Sequence, residues 1–466
     1  MRSTRTPRTL KALATGCFAL TAAIILTPAP SAARPGTIAC PQGAASGAPP
    51  VTACTGTAQL ATNTQVARTE QKRKRHHRAR RAKPKAAAPP VPVPELTNIP
   101  PQKLQAPPPR ATFTGKDVEA AVIPGIPDAR FWADSEADYR RVLDDKNGPW
   151  LALSAGGEDS AFGAGLLNGL SETGRRPDYA VVSGVSSGAL LAPYAFLGSS
   201  RDGDLKRESS ALTAPDVFED RRTAESLLDT WPLKEFIAKR ITPELLAAIA
   251  AEHKRGRRLI VITTNLDNGR PVAWNMGAIA TAGTPESLEL FRKILLATSA
   301  IPGLFPPVLF DVEANGHRFQ EMHVDGGLAA TIYVAPDSML LSSSPARFPA
   351  SKITLILNSK LMPEFAMTDR HLIGVLGRSL SIGVKRATRT AAILIGLAAR
   401  RAGTEYNVAY IDDKFDFPSR GLFDPDYMKA LFDAGQKQGR SDEPFRHAMP
   451  EPQPAQAAAP REGTPE

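Results

Sequence analysis

The sequence contains little cysteine, with three residues in 466: Cys17, Cys40 and Cys54. Because none follows Cys54, a cysteine nucleophile or a thiolate zinc site is excluded from the rest of the chain. Cys40 and Cys54 flank a segment of small residues and could form a disulfide in an oxidising compartment. We expect no metal and no cofactor.

Long apolar runs are also lacking. The run Ala12–Thr27 has sixteen residues, fewer than the about 20 that a membrane-spanning helix needs. It follows a basic segment, Met1–Lys11, and precedes small residues, which is the pattern of a secretory signal peptide. We therefore predict a signal peptide at 1–33 and a periplasmic, envelope-associated or secreted protein. The alternative is an uncleaved anchor.

Acidic residues are absent from 1–67, which hold five Lys/Arg, and only Glu70 occurs among ten Lys/Arg in 68–85. Residues 1–85 thus carry a charge of +14, so the net charge of +10 for the whole chain means that residues 86–466 carry −4. Residues 34–110 are rich in Pro, Ala and Lys/Arg, and we expect a disordered linker there, with a second disordered tail at 447–466. The basic segment could contact an anionic membrane or envelope, or could simply be solvated. Export argues against nucleic acid.

Phosphate-binding patterns are missing as well. No Gly-Lys-Ser/Thr occurs, and SAGGEDSAFGAG at 154–165 does not fit GxGxxG, which argues against nucleotide binding. What these residues do show is a Gly-rich loop between two elements. Trp150–Ser154 is apolar and of strand length, and Ala161–Glu172 is predicted to be a helix that ends at Gly174.

A second strand-to-helix turn contains GVSSG, residues 184–188. Tyr179–Val182 predicts a buried strand before it, and Ala189–Leu197 predicts a helix after it. A serine on such a turn has the context of a nucleophile elbow, in which Gly184 and Gly188 permit the tight backbone around Ser186. A loop of small residues is the simpler interpretation of the same letters.

A third feature follows 139 residues after Ser186, where Asp325 ends a short predicted strand before Gly326 and Gly327. Further strands are predicted at Arg258–Thr263, Lys352–Leu357 and Tyr406–Tyr410. Strands that alternate with helices indicate an α/β fold with a mostly parallel sheet covered on both faces. We assign 111–149 as a lead-in segment, 150–338 as the core of the domain and 339–446 as its completion.

Together with ATSAIPGLFPPV at 297–308, these features resemble the patatin-like phospholipase family over about 150–338. The resemblance implies a three-layer α/β/α fold with a mostly parallel central sheet. It implies hydrolysis of acyl esters in a lipid or phospholipid by a Ser–Asp dyad, with Ser186 as nucleophile and Asp325 as base. Gly156 and Gly157 would supply the oxyanion hole.

The Gly-rich loop departs from the family pattern GGGxxG, because Ala155 and Ser160 replace its outer glycines. Either residue would resist a backbone with positive φ, and this would weaken the oxyanion hole. The departure and the basic segment motivate one alternative, a lipid-binding or envelope-binding protein without turnover.

A second alternative is an α/β-hydrolase with a histidine triad, in which His371 or His447 would be the general base. Both lie in segments that look like surface. His323 is two residues from Asp325 and could tune it, although a packed strand histidine is the simpler interpretation. Leu372–Arg401 predicts a long basic helix, which we expect to pack on the core rather than on an anionic bilayer.

Overall fold

The computed structural model describes residues 106–210, 212–343 and 348–450. The predicted signal peptide, most of the predicted linker and residues 451–466 of the predicted tail lie outside the described residues, as do all three cysteines and the basic segment 68–85.

The described residues form nine strands: β1 (Arg130–Trp132), β2 (Gly148–Leu153), β3 (Val181–Val185), β4 (Arg258–Asn265), β5 (Arg270–Asn275), β6 (Val308–Ala314), β7 (His317–Asp325), β8 (Ala350–Leu357) and β9 (Glu405–Tyr410).

They also form thirteen α-helices: α1 (Gly115–Ala120), α2 (Glu136–Leu143), α3 (Ser160–Glu172), α4 (Ser187–Leu197), α5 (Asp202–Ser210), α6 (Ala214–Val217), α7 (Trp231–Arg240), α8 (Pro243–Lys254), α9 (Met276–Ala282), α10 (Pro285–Thr298), α11 (Asp337–Leu341), α12 (Leu372–Ala402) and α13 (Pro425–Arg440). Short 3₁₀ turns occur at Pro127–Ala129, Gly157–Asp159, Ser199–Arg201 and Gly326–Leu328.

The strands form one sheet in the order β1-β5-β4-β3-β2-β8-β9. The five strands from β4 to β9 in this order are parallel, whereas β5 and β1 continue the sheet antiparallel beyond β4. A β6–β7 hairpin joins β4 through β7. The predicted α/β fold with a mostly parallel central sheet is confirmed.

Helices cover both faces of this sheet because its strands alternate apolar side chains between them. In β2, Leu151 and Leu153 belong to a core cluster that also includes apolar residues of α3, α4, α8, α10 and α13. Trp150 and Ala152 belong to the cluster on the other face, which includes residues of α2, α11 and α12.

Two strands meet end to end along one side of β4. Strand β3 runs parallel to β4 and ends with Val185 opposite Ile262. Strand β7 runs antiparallel and ends with Asp325 opposite Thr263, the next residue of β4. The carboxyl ends of β3 and β7 therefore face each other, and whatever follows Val185 lies beside Asp325.

Helix α12 packs into the core, as predicted, with buried side chains only in its second half. One side of this second half is buried, with Thr388, Ala392 and Ile395 facing the protein interior. Its first half packs on the core with one side only and exposes the other. Among the described residues, we find no helix with the length and apolar character required to span a bilayer.

Candidate active site

Ser186 lies between β3 and α4 with φ 52° and ψ −129°, a backbone conformation that residues with a Cβ rarely adopt. The glycines on either side permit the close packing of this turn. A Cβ at Gly188 would lie 2.5 Å from the Ser154 carbonyl oxygen, and one at Gly184 would lie 2.6 Å from the Ala189 Cα. The turn has the strained strand-to-helix geometry of a nucleophile elbow.

The Ser186 hydroxyl donates a 2.6 Å hydrogen bond to Oδ2 of Asp325. The other carboxylate oxygen, Oδ1, accepts a 2.7 Å bond from the Gly327 N–H. Gly326 lies against β4, where a Cβ would come within 2.3 Å of the Ile262 carbonyl oxygen. The DGG turn thus fixes the carboxylate beside the serine, and both side chains are buried.

The environment of Asp325 shifts its ionisation. Burial raises the pKa of Asp325 to about 6, although hydrogen bonds from Ser186 and Gly327 oppose this shift. The carboxylate remains mostly ionised at neutral pH, yet it is a stronger base than a solvated aspartate. This pair can therefore transfer a proton from the serine without a histidine.

The Gly-rich loop lies next to this pair, because Gly157 and Ser186 line the same cavity. Gly157 has φ +59°, and its N–H and that of Gly156 begin a 3₁₀ turn, where no intra-turn acceptor exists for them. These two N–H groups can serve as donors to an oxyanion. Ala155 has no positive φ and Ser160 has φ −63°, so the departure from GGGxxG causes no backbone strain.

Asn358, which follows β8, packs against the Gly-rich loop. A Cβ at Gly156 would lie 2.3 Å from the Asn358 carbonyl oxygen, so only glycine fits at this position. The Asn358 side chain donates a 2.9 Å hydrogen bond to the Ser154 carbonyl, which fixes the end of β2 from which the loop leaves.

Two carboxylates of the loop bind the C-terminal part of the fold. Asp159 is the N-cap residue of α3, but its side chain forms no capping hydrogen bond. Instead Glu158 accepts a hydrogen bond from the Phe423 N–H, and Asp159 accepts a 2.7 Å bond from the Tyr427 hydroxyl. Burial raises the pKa of Glu158 to about 7 and that of Asp159 to about 6. Sequence patterns gave no signal for contacts over such separations.

Thr298 is a further residue at the elbow that our sequence analysis did not single out. Its hydroxyl accepts a 2.9 Å hydrogen bond from the Ser186 N–H and donates a 2.5 Å bond to the Ile262 carbonyl. The side chain is fully buried. The available signal was its position in ATSAIPGLFPPV, the one quoted segment to which we assigned no role.

A cavity enclosing about 820 Å³ of empty space, its mouth included, opens at Ser186. Its wall is mainly apolar and includes Leu191, Leu233, Phe236, Ile237, Leu295 and Phe305. Glu208 and Arg240 also line it and form an ion pair with each other. A mostly apolar cleft suits a ligand with a hydrocarbon portion.

The three histidines considered above lie elsewhere. His323 is fully buried, with Nδ1 2.9 Å from the Thr263 hydroxyl and Nε2 3.2 Å from Glu321. His371 caps α12 by accepting a hydrogen bond from the Gly374 N–H, and His447 is exposed. Across 106–210, 212–343 and 348–450, no histidine is hydrogen-bonded to Ser186 or Asp325, and no cluster of His, Cys, Asp and Glu could hold a metal ion.

Comparison with known proteins supports a lipid hydrolase. Residues 151–336 match the family model Patatin, described as patatin-like phospholipase, so the resemblance is confirmed for this segment. No curated protein matches the chain significantly. The crystal structure of VipD from Legionella pneumophila is similar with a TM-score of 0.33 and 12% identity, over 67% of this chain and 70% of that chain. A similarity this low carries no further argument.

Proposed function

We propose that the protein hydrolyses acyl esters of lipids, as a lipid acyl hydrolase or phospholipase A, through a Ser186–Asp325 dyad. The observation that carries the proposal is the 2.6 Å hydrogen bond between the two side chains at the opening of an apolar cavity. The strained turn at Ser186 and the presence of Gly157 of the Gly-rich loop on the same cavity also support the proposal.

In the first half of the reaction, Ser186 Oγ attacks the ester carbonyl carbon while its proton passes to Asp325 Oδ2. The carbonyl oxygen gains the negative charge, which the N–H groups of Gly156 and Gly157 stabilise. The intermediate collapses by breaking the bond to the alcohol, which takes the proton from Asp325 as it leaves. The acyl group remains on Ser186 in the cavity.

In the second half, a water molecule attacks the acyl carbon and gives its proton to Asp325. Collapse of this intermediate breaks the bond to Ser186 Oγ, which recovers the proton, and the fatty acid is released. Asp325 is therefore base and acid in turn, and no histidine takes part.

The test measures acid release from a soluble short-chain ester and from a phospholipid, together with labelling by a fluorophosphonate. We expect Ser186→Ala to abolish hydrolysis and labelling. We expect Asp325→Asn to lower kcat/KM by about 10²–10⁴-fold, the usual contribution of a general base. His371→Ala is the matched control and should retain activity.

Two results would contradict this proposal. Loss of activity in His371→Ala or His447→Ala with activity retained in Asp325→Asn would favour a histidine triad. A parent protein that neither hydrolyses ester nor takes up the fluorophosphonate would favour a lipid-binding protein without turnover.

A further inference from the structure

The segment before α12 and the first turns of this helix expose an apolar surface. Phe365 and Met367 are 95% and 89% exposed, and Leu372, Val375 and Ile382 are each more than half exposed. We call these five side chains the apolar face. Single exposed apolar residues are ordinary, but five within eighteen residues of sequence form a patch of the kind that marks an interaction site.

The geometry of α12 makes this patch continuous. Leu372, Val375 and Ile382 are three and seven residues apart, so they lie on one side of the helix. The adjacent side, with Ile373, Leu376 and Leu380, packs against the core. The helix is thereby held in place while the apolar face points away from the protein.

Positive charge surrounds the apolar face. Residues 360–390 contain six Lys/Arg and two acids, within a part of the chain, 86–466, whose net charge is −4. Arg370 and Arg386 have no ion-pair partner among the described residues. A basic rim around exposed apolar side chains complements a surface with anionic head groups over a hydrocarbon interior.

The helix turns that carry the apolar face also lie close to a segment of the cavity wall. Leu376, on the core side of the same helix turns, lies near Gly303, where a Cβ would come 3.7 Å from its side chain, and Gly303 lies between the cavity residues Ile301 and Phe305. Glu364, next to Phe365, binds Lys385. Both charges act on Asp159 of the Gly-rich loop, so this segment lies near the proposed oxyanion hole.

We propose that the apolar face and the arginines beside it dock the protein on an anionic phospholipid bilayer, with the cavity adjacent to the lipid. The biological role of this docking rests on the proposed function, because docking would bring the active site to the membrane that contains the ester. Docking itself requires only the exposed side chains, so it can be tested without turnover.

The experiment measures partitioning of the full chain onto vesicles of phosphatidylcholine with and without phosphatidylglycerol. The Phe365→Ser/Met367→Ser double variant should bind the anionic vesicles at least tenfold more weakly and hydrolyse their lipid correspondingly more slowly. Its hydrolysis of a soluble short-chain ester should equal that of the parent. Ser186→Ala should bind vesicles like the parent, which separates failure of docking from failure of the proposed chemistry.

Leu341→Ser is the matched control. Leu341 is 63% exposed, and its neighbour Leu340 contacts Arg401 at the far end of α12, roughly 30 Å along the helix from Ile382, the nearest residue of the apolar face. This variant should bind vesicles like the parent. Arg370→Gln/Arg386→Gln should weaken binding to anionic vesicles by about fivefold per charge and leave binding to neutral vesicles unchanged.

A local readout excludes binding through the basic segment 68–85 alone. In Phe365→Trp, the emission of the added tryptophan, taken as the difference from the parent, should shift to shorter wavelength on anionic vesicles. Absence of the shift, or equal partitioning of the double variant and the parent, would overturn the proposal. So would a dimer in lipid-free solution that the double variant loses while keeping its vesicle binding, since a second copy would then cover the face.

Discussion

At the scale of single residues, the backbone of Ser186 is held by one buried side chain. The Thr298 hydroxyl bridges the Ser186 N–H and the Ile262 carbonyl of β4. Without this bridge, a strained turn would keep two unpaired polar groups in the protein interior, each costing about 1–3 kcal/mol. In the proposed reaction, Thr298 would therefore be a positioning residue, which acts through the orientation of the serine.

We expect Thr298→Val to lower kcat by about tenfold with little change in KM, since the cavity that binds the substrate is intact. Thr298→Ser restores the hydroxyl and should recover most of the rate. Steady-state kinetics on a soluble ester provide the test. A serine variant as slow as the valine variant would show that the methyl group, rather than the hydroxyl, matters.

The pKa of Asp325 should determine the pH dependence of the rate. Its burial raises the pKa of the carboxyl group to about 6, and only the ionised form can accept the serine proton. We expect kcat/KM for a neutral ester to rise with pH, to be half-maximal near pH 6 and to be level above about pH 7.

Glu158 and Asp159 are controls for this pH profile, because burial raises their pKa values into the same range. Glu158→Gln and Asp159→Asn should leave the midpoint of the acid limb in place, even if they lower the plateau. A midpoint that moves in either variant would assign the limb to the Gly-rich loop rather than to Asp325.

At the scale of elements, α3 and α13 pack backbone against backbone. A Cβ at Gly165 would lie 2.0 Å from the Phe432 carbonyl oxygen, and one at Gly435 would lie 2.1 Å from that of Phe162. Gly169 and Gly439 repeat the arrangement along the two helices. Because α3 begins at the Gly-rich loop, the position of α13 affects the proposed oxyanion hole.

We expect Gly435→Ala to destabilise the protein by about 1–3 kcal/mol, because the methyl group forces the two helices apart. The matched control is Gly383→Ala in α12, where a Cβ meets nothing within 4 Å. This change should stabilise the protein by about 0.5–1 kcal/mol through helix propensity alone. Urea unfolding midpoints provide the comparison, and destabilisation of equal size in both variants would contradict the close contact.

At the scale of the whole molecule, the segment that matches the family model is not a complete sheet. The match ends at residue 336, yet β8 pairs with the central strand β2, and β9 continues the sheet beyond it. Phe423 and Met428 of the same C-terminal part line the cavity. The fold and the site therefore both extend past the matched segment.

A chain that ends after Ser338 should consequently fail to fold, because β2 would lose β8, one of its two neighbours, and α3 would lose α13. We expect this truncated protein to aggregate or to lack a cooperative thermal transition by circular dichroism. A soluble, cooperatively unfolding protein would show that residues 339–446 are an addition to a domain already complete.

Local sequence patterns were sufficient to predict the strands and the class of fold. Short apolar runs indicated β2, β3 and β8 to within a few residues, and the confirmed sheet follows from their alternation with helices. The dyad remains a prediction about chemistry, although the register along β4 brings its two side chains together. The contact of Glu158 with Phe423 and the exposure of Phe365 depend on tertiary packing, which no local pattern encodes.

The contact between α3 and α13 also determines how late in synthesis the Gly-rich loop can be supported. About 250 residues separate the two helices, so at roughly 5–20 residues per second the ribosome makes α13 about 13–50 s after α3. Until then the Gly-rich loop lacks the partners of Glu158 and Asp159. A nascent chain can thus contain both Ser186 and Asp325 while its Gly-rich loop is still unsupported, so the proposed hydrolysis requires α13 to have been synthesised.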